Sequence, residues 1–194
     1  MQLTKTVFAP FALAMSAALL LALAAAERPS AAHARAIKNA SIEKALEHAL
    51  DRLVVPVQGL TPAELSDNWG AARSDGRRHQ GIDIMAAQGT PVVAAAAGRI
   101  VRFWNSELGG VSIYQTGESG RLIYYYAHLD ARAGGLEEGD VVQQGDVIGY
   151  VGATGNATTP HLHFEIQRVA DARHWWRGRA VNPYPYLVSG ETPD

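Results

Sequence analysis

Cysteine is absent from the chain. Its absence excludes a disulfide framework, a thiolate metal site and a thiol nucleophile, and it leaves the redox compartment unreadable from composition. Any transition metal must therefore rest on His, Asp or Glu. Lysine is scarce: Lys5, Lys38 and Lys44 are the only three. The net charge of −2 over 194 residues lacks the basic excess that marks a nucleic-acid binder. No HExxH occurs, so the usual helix-borne zinc peptidase arrangement is missing. Long apolar runs are missing too, except at the N-terminus.

That N-terminus has the form of an export signal. Lys5 supplies positive charge, Val7 to Ala26 is apolar, and A-x-A sites end at Ala26 and Ala34. Residues 1–34 read as a cleaved signal or as an uncleaved anchor, the only route to a membrane. Either way the remainder is exported, to the periplasm or cell envelope. Without a cysteine to acylate, a lipoprotein signal is excluded.

Residues 35–58 read as a helix and linker. In "NASIEKALEHALDRLV", residues 39–54, Ser41 fits an N-cap, and Ile42, Ala45, Leu46, Ala49, Leu50 and Leu53 recur at helical spacing. Pro56 ends it. The stripe packs on the following domain or, on a sharper reading, receives a partner. From residue 59 to 187 glycines recur and helical periodicity vanishes. Short β-rich runs follow: "TPVVAAAAGRIVRFW", "VSIYQT", "RLIYYYAHL", "DVVQQGDVIGYVG" and "HLHFEIQ", with "TGESG" as a hairpin loop. The fold class is all-β, a compact antiparallel roll or sandwich-like domain with one short N-terminal helix. The ending, "AVNPYPYLVSGETPD", reads as extended, with residues 188–194 a tail.

Three stretches carry chemistry. In "RRHQGIDIM" an extended chain puts His79, Gly81 and Asp83 on one face and Ile82 and Ile84 on the other, with Gly81 leaving room for a ligand or ion. In "YYYAHLD" the same alternation groups Tyr124, Tyr126 and His128. In "TTPHLHFEI" it groups His161, His163 and Glu165, opposite the apolar Leu162, Phe164 and Ile166. A catalytic zinc takes three protein ligands and keeps one open position. The candidates His79, Asp83, His128, His161 and His163 amount to three ligands and two spare imidazoles.

"HQGID", "YAHL" and "HLHFE" together resemble the three motifs of the lysostaphin/LytM-type zinc endopeptidases, peptidoglycan hydrolases with the duplicated hybrid motif fold. The text between them is similar as well, notably "GTPVVAAAAGRIV", "GDVVQQGDVIGYVGATGNATTP" and "VNPYPYL", so the likeness runs from about Trp69 to Leu187. The resemblance implies an antiparallel β-roll with Zn²⁺ in a groove, held by His79, Asp83 and His163. It implies His128 and His161 as unligated catalytic histidines, one taking a proton from water and the other helping to stabilise the oxyanion. Glu165 reads as the acceptor for the second ring nitrogen of His163. The implied substrate is peptide crosslinks of peptidoglycan, the stem-peptide crosslink first and glycyl bridges as the alternative. Degenerate relatives instead activate cell-wall amidases without catalysis. Those lack ligands, whereas this chain keeps all five motif residues.

Other signals are weaker. "GDVVQQGDVIGYVG" also resembles biotinyl and lipoyl carrier domains, but a carrier needs a lysine and the β region has none. His174, Trp175 and Trp176 read as packing or an ordinary surface loop, with a rim of the groove as the sharper reading. Tyr114 and the tyrosines before His128 read mainly as packing. His33 falls in the export segment and His48 on the polar side of the helix.

Overall fold

In a computed structural model the described residues are Arg35, Lys38, 52–190 and Pro193. The chain divides into Met1–Ala45 and Leu46–Asp194, and every element below belongs to the second unit. The expected export segment, and the expected helix over residues 39–51, lie outside the described residues. The last residues of that helix, Arg52 to Val54, are described and are not helical. Here the backbone pairs across the domain instead: Leu53 N–H donates to Gly190 and Val54 N–H to Ala95. The β-branched pair Val54–Val55 ahead of Pro56 favours that extended path.

Among the described residues nine strands form one antiparallel sheet: β1 (Ile82–Met85), β2 (Pro91–Val93), β3 (Gly98–Ser106), β4 (Gly110–Gly117), β5 (Leu122–Arg132), β6 (Val141–Val142), β7 (Val147–Val151), β8 (His161–Arg168) and β9 (Arg179–Val181). The main path runs β1-β8-β5-β4-β3-β6; β7 joins β2 to β5, and β9 flanks β8. Each expected run contains one or two strands, "TPVVAAAAGRIVRFW" and "DVVQQGDVIGYVG" each breaking into two, and "TGESG" ends β4 and begins the turn to β5.

The longest strand, β5, organises the roll. Its first half, through Ala127, pairs with β8, and its second half, from Leu129, pairs with β7. The β4 register also slips there, from Ile113↔Tyr126 to Val111↔Leu129. His128 sits at this fork with φ +60°, the left-handed region that a side chain rarely enters. Its backbone turn resets the strand alternation. Tyr124 and Tyr126 therefore point into the core, at 1% and 0% exposure, while Tyr125, Ala127 and His128 face a groove. The expectation that Tyr124, Tyr126 and His128 share a face fails for this reason.

The core follows the pleat elsewhere. Ile82 and Ile84 of β1 and Leu162, Phe164 and Ile166 of β8 are buried. One polar network crosses this interior. The Tyr126 hydroxyl donates to Gln115 Oε1 at 2.7 Å and accepts from Ala95 N–H, and Gln115 Nε2 donates to the Ala96 carbonyl at 2.7 Å. Among the described residues no buried side-chain nitrogen or oxygen lacks a hydrogen-bond partner.

The expected extended ending is also corrected. Tyr184–Ser189 forms a short helix, α1, with Pro183 at its N-cap and Gly190 in the left-handed C-terminal position. Prolines suit a first turn, whose N–H groups have no intrahelical partner, and glycine closes a helix end without strain. Leu187 of α1 is buried in the core.

Candidate active site

The β1–β8 register creates the centre of the site. Asp83 lies directly opposite His163, and Ala127 of β5 lies opposite His163 on its other side. His79 arrives from a hairpin just before β1. Gly70 N–H donates to the His79 carbonyl and His79 N–H to Ala71, both at 2.9 Å.

Three atoms converge. His79 Nε2 and His163 Nδ1 are 2.9 Å apart, and each lies 3.0 Å from Asp83 Oδ1. This triangle is compact enough for one ion to touch all three atoms at about 2.0–2.2 Å. Two imidazole nitrogens and one carboxylate oxygen are a borderline N/O set that suits zinc. The remaining ring nitrogens are engaged as ligating histidines require. His79 Nδ1 is 2.8 Å from the Asn68 carbonyl and His163 Nε2 is 2.9 Å from Glu165 Oε1. The group His79, Asp83 and His163 could thus hold a metal ion.

His128 and His161 stand beside the triangle with rings 4.8 Å apart. Each gives Nδ1–H to a backbone carbonyl at 2.8 Å, Thr154 for His128 and Thr159 for His161. In the neutral ring this leaves Nε2 as the nitrogen with the free lone pair. His161 Nε2 is 3.6 Å from Asp83 Oδ1. Thr154 secures the fork around His128: its hydroxyl donates to the Leu129 carbonyl and accepts from Val111 N–H.

The electrostatics divide these groups. Burial alone would raise Asp83, but hydrogen bonds from His163, His79 and Arg73 hold its carboxyl well below the usual range. Burial would lower His163, yet its bonds to Asp83 and Glu165 raise it to about 9. Burial pushes His128 down to about 4, against the Thr154 carbonyl bond. Burial also raises Tyr125.

All five expected site residues, His79, Asp83, His128, His161 and His163, line one open groove of about 510 Å³. Gly81 plays another part than expected. A Cβ there would lie 2.4 Å from the Phe164 carbonyl and 2.9 Å from His163 Cε1, so its space is taken by β8 rather than by a ligand. In the "DARHWWRGRA" loop Trp175 packs 4.4 Å from Tyr114, Tyr114 lies 4.4 Å from Tyr125, and Tyr125 meets the edge of His163, whereas Trp176 stays 58% exposed. Two contributors are not evident from motif reading. Asn68 accepts Asp83 N–H on its side-chain oxygen at 3.0 Å, and Arg73 pairs with Asp83 Oδ2. The only local signals are the polar turn "SDNWG" and the arginines before His79.

The family model of peptidase family M23 matches residues 77–183. The chain is 32% identical over 155 residues to an L-Ala–D-Glu endopeptidase of Bacillus subtilis, covering 75% of this chain and 44% of that protein. It is 36% identical over 116 residues to a glycyl-glycine endopeptidase of Staphylococcus capitis, covering 59% and 30%. The chain thus spans less than half the length of these curated relatives. The crystallised catalytic domain of lysostaphin from Staphylococcus simulans superposes with a TM-score of 0.54 at 32% identity, covering 63% of this chain and 90% of that one.

Proposed function

The chain belongs to peptidase family M23, and from that premise we propose that it is a zinc-dependent endopeptidase cleaving peptide crosslinks of peptidoglycan. The observation that carries the reading is the triangle of His79 Nε2, Asp83 Oδ1 and His163 Nδ1 with two uncommitted imidazoles beside it. Those three residues would hold the zinc. When bound, the metal supplies a Lewis acid that polarises the scissile carbonyl and acidifies a water molecule.

The protein's own groups do the rest. In their neutral forms His128 and His161 carry the free lone pair on Nε2, because each Nδ1–H is anchored to a carbonyl. Burial keeps His128 neutral at pH 7. One of the pair accepts the water proton at Nε2 and, once protonated there, passes it to the leaving amine; the other donates to the developing oxyanion only when its own Nε2 carries a proton. Glu165 fixes the ring of His163, and Asn68 fixes that of His79.

Residues 59–187 form the peptidase domain in this reading, and residues 1–34 deliver it outside the cytoplasm. The relatives are named for two bond classes, L-Ala–D-Glu and glycyl-glycine, and the stem-peptide class is proposed here. Purified peptidoglycan is digested with the protein, with and without chelator, and the fragments are analysed by mass spectrometry. Crosslinks open, chelation stops the reaction and zinc restores it. Digestion indifferent to chelation refutes the mechanism. No digestion, combined with stimulation of a cell-wall amidase, moves the function to the activator class.

A further inference from the structure

We propose that the hairpin leading into His79 is a carboxylate-binding rim, through which Arg77 and Arg78 select peptides bearing free acidic groups. This inference rests on the peptidase reading and specifies its substrate. The hairpin is a built platform. Besides the two bonds at Gly70 and Ala71, Arg73 N–H donates to the Arg77 carbonyl at 3.0 Å, and Ala72 bridges Arg78. Its tip, Ser74–Gly76, turns through left-handed residues Asp75 and Gly76. The platform ends at His79, so whatever it binds is held next to the reacting centre.

The charge balance of the groove gives the direction. Arg73, Arg77 and Arg78 line it, and the lining carboxylates are Asp83 and Glu165. Asp83 is taken by Arg73, His79 and His163. Glu165 is taken by His163 and by Gln167 Nε2 at 2.7 Å. Among the described residues neither Arg77 nor Arg78 meets a carboxylate. The Arg77 guanidinium donates only to Ser74 Oγ and that of Arg78 only to the Gly70 carbonyl, at 3.0 and 3.3 Å. Asp75 at the tip pairs with neither and does not line the groove. The other groove-lining positions away from the histidines, including Leu108, Gly109, Asn156 and Thr158, carry no charge. Two exposed guanidinium forks thus face the groove with unused donors, and the planar fork matches a carboxylate. A peptide with free carboxylates would satisfy them, whereas a glycine-only or amidated peptide would not.

The test uses two synthetic crosslinked stem peptides of identical sequence, one with free carboxylates and one with carboxamides. Both are given to the zinc-loaded full chain. We expect kcat/KM about tenfold higher for the free acid, and a weaker preference in high salt, where exposed charges are screened. An Arg77→Gln/Arg78→Gln double variant, with its thermal melt recorded, should lower that ratio to about one, and Arg77→Lys/Arg78→Lys should keep part of it. Calorimetric binding of both peptides to the His128→Ala protein supplies a readout free of turnover. Equal binding of the two peptides to the His128→Ala protein overturns the rim, as does a double variant that keeps the preference. If neither peptide is hydrolysed but the free acid binds more tightly, the peptidase reading fails and the rim stands.

Discussion

Glu165 Oε1 lies 2.9 Å from His163 Nε2, and this contact decides which nitrogen of His163 faces Asp83. With Nε2–H given to the carboxylate, Nδ1 is left for the triangle. Replacing Glu165 by Gln keeps an acceptor but removes the charge that makes the ring basic. Partners of this kind typically contribute about 10–100-fold to metal affinity. Glu165→Gln should weaken zinc binding by about tenfold and Glu165→Ala by more, in a competitive titration, with cooperative unfolding retained. Unchanged affinity in both would remove Glu165 from the site.

The same contact gives a pH dependence. In the metal-free protein His163 is raised to about 9, above its ordinary 6.5. A raised folded-state value means that protonated His163 favours the fold. This contribution is full below about pH 6.5 and is lost as pH rises through about 9. Zinc must displace the Nδ1 proton. Apparent zinc affinity should therefore climb by up to about tenfold per pH unit toward pH 9, while metal-free stability in denaturant titrations falls from that residue's contribution. A flat zinc affinity between pH 6 and 9 contradicts the assignment of His163 as a ligand.

Much of this site is legible in the sequence because two of its strands are regular. The alternation in "HLHFEI" correctly separates His161, His163 and Glu165 from Leu162, Phe164 and Ile166, since a pleat has period two. The face of His128 is not legible. A left-handed backbone at that residue is set by β5 exchanging β8 for β7, a long-range event that "YAHLD" does not encode. Asn68 and Arg73 escape similarly, because each acts through contacts that only the folded hairpin brings within reach. The α1 helix is hidden in the sequence because Pro183 and Pro185 suggest an extended chain, although the N-cap and the first turn of a helix accept both.

The backbone at His128 makes a prediction that runs against strand behaviour. In an ordinary strand glycine is less stable than alanine by about 0.5–1 kcal/mol. At φ +60° the order reverses, because a Cβ is penalised by about 1–2 kcal/mol. His128→Gly should unfold at higher denaturant than His128→Ala, and both should bind zinc yet lose most turnover. An alanine variant as stable as the glycine one argues against strain at the fork.

Gly81 links packing to metal binding. A methyl group there meets the Phe164 carbonyl at 2.4 Å and Glu165 Cγ at 2.9 Å, so β8 must move away from the chain entering β1. Overpacking of this kind costs about 1–3 kcal/mol, and His163 and Glu165 move with β8. Gly81→Ala should lower Tm by several degrees and weaken zinc binding in the same protein. Gly89→Ala is the control. Gly89 has φ +82° and open space around its Cβ position, so the substitution is strained without pressing on β8. It should lower Tm while zinc affinity stays at the natural value. If both variants lose zinc affinity equally, the loss reflects general destabilisation. If Gly81→Ala alone loses it, the close approach of these two chain segments is what holds His163 against Asp83.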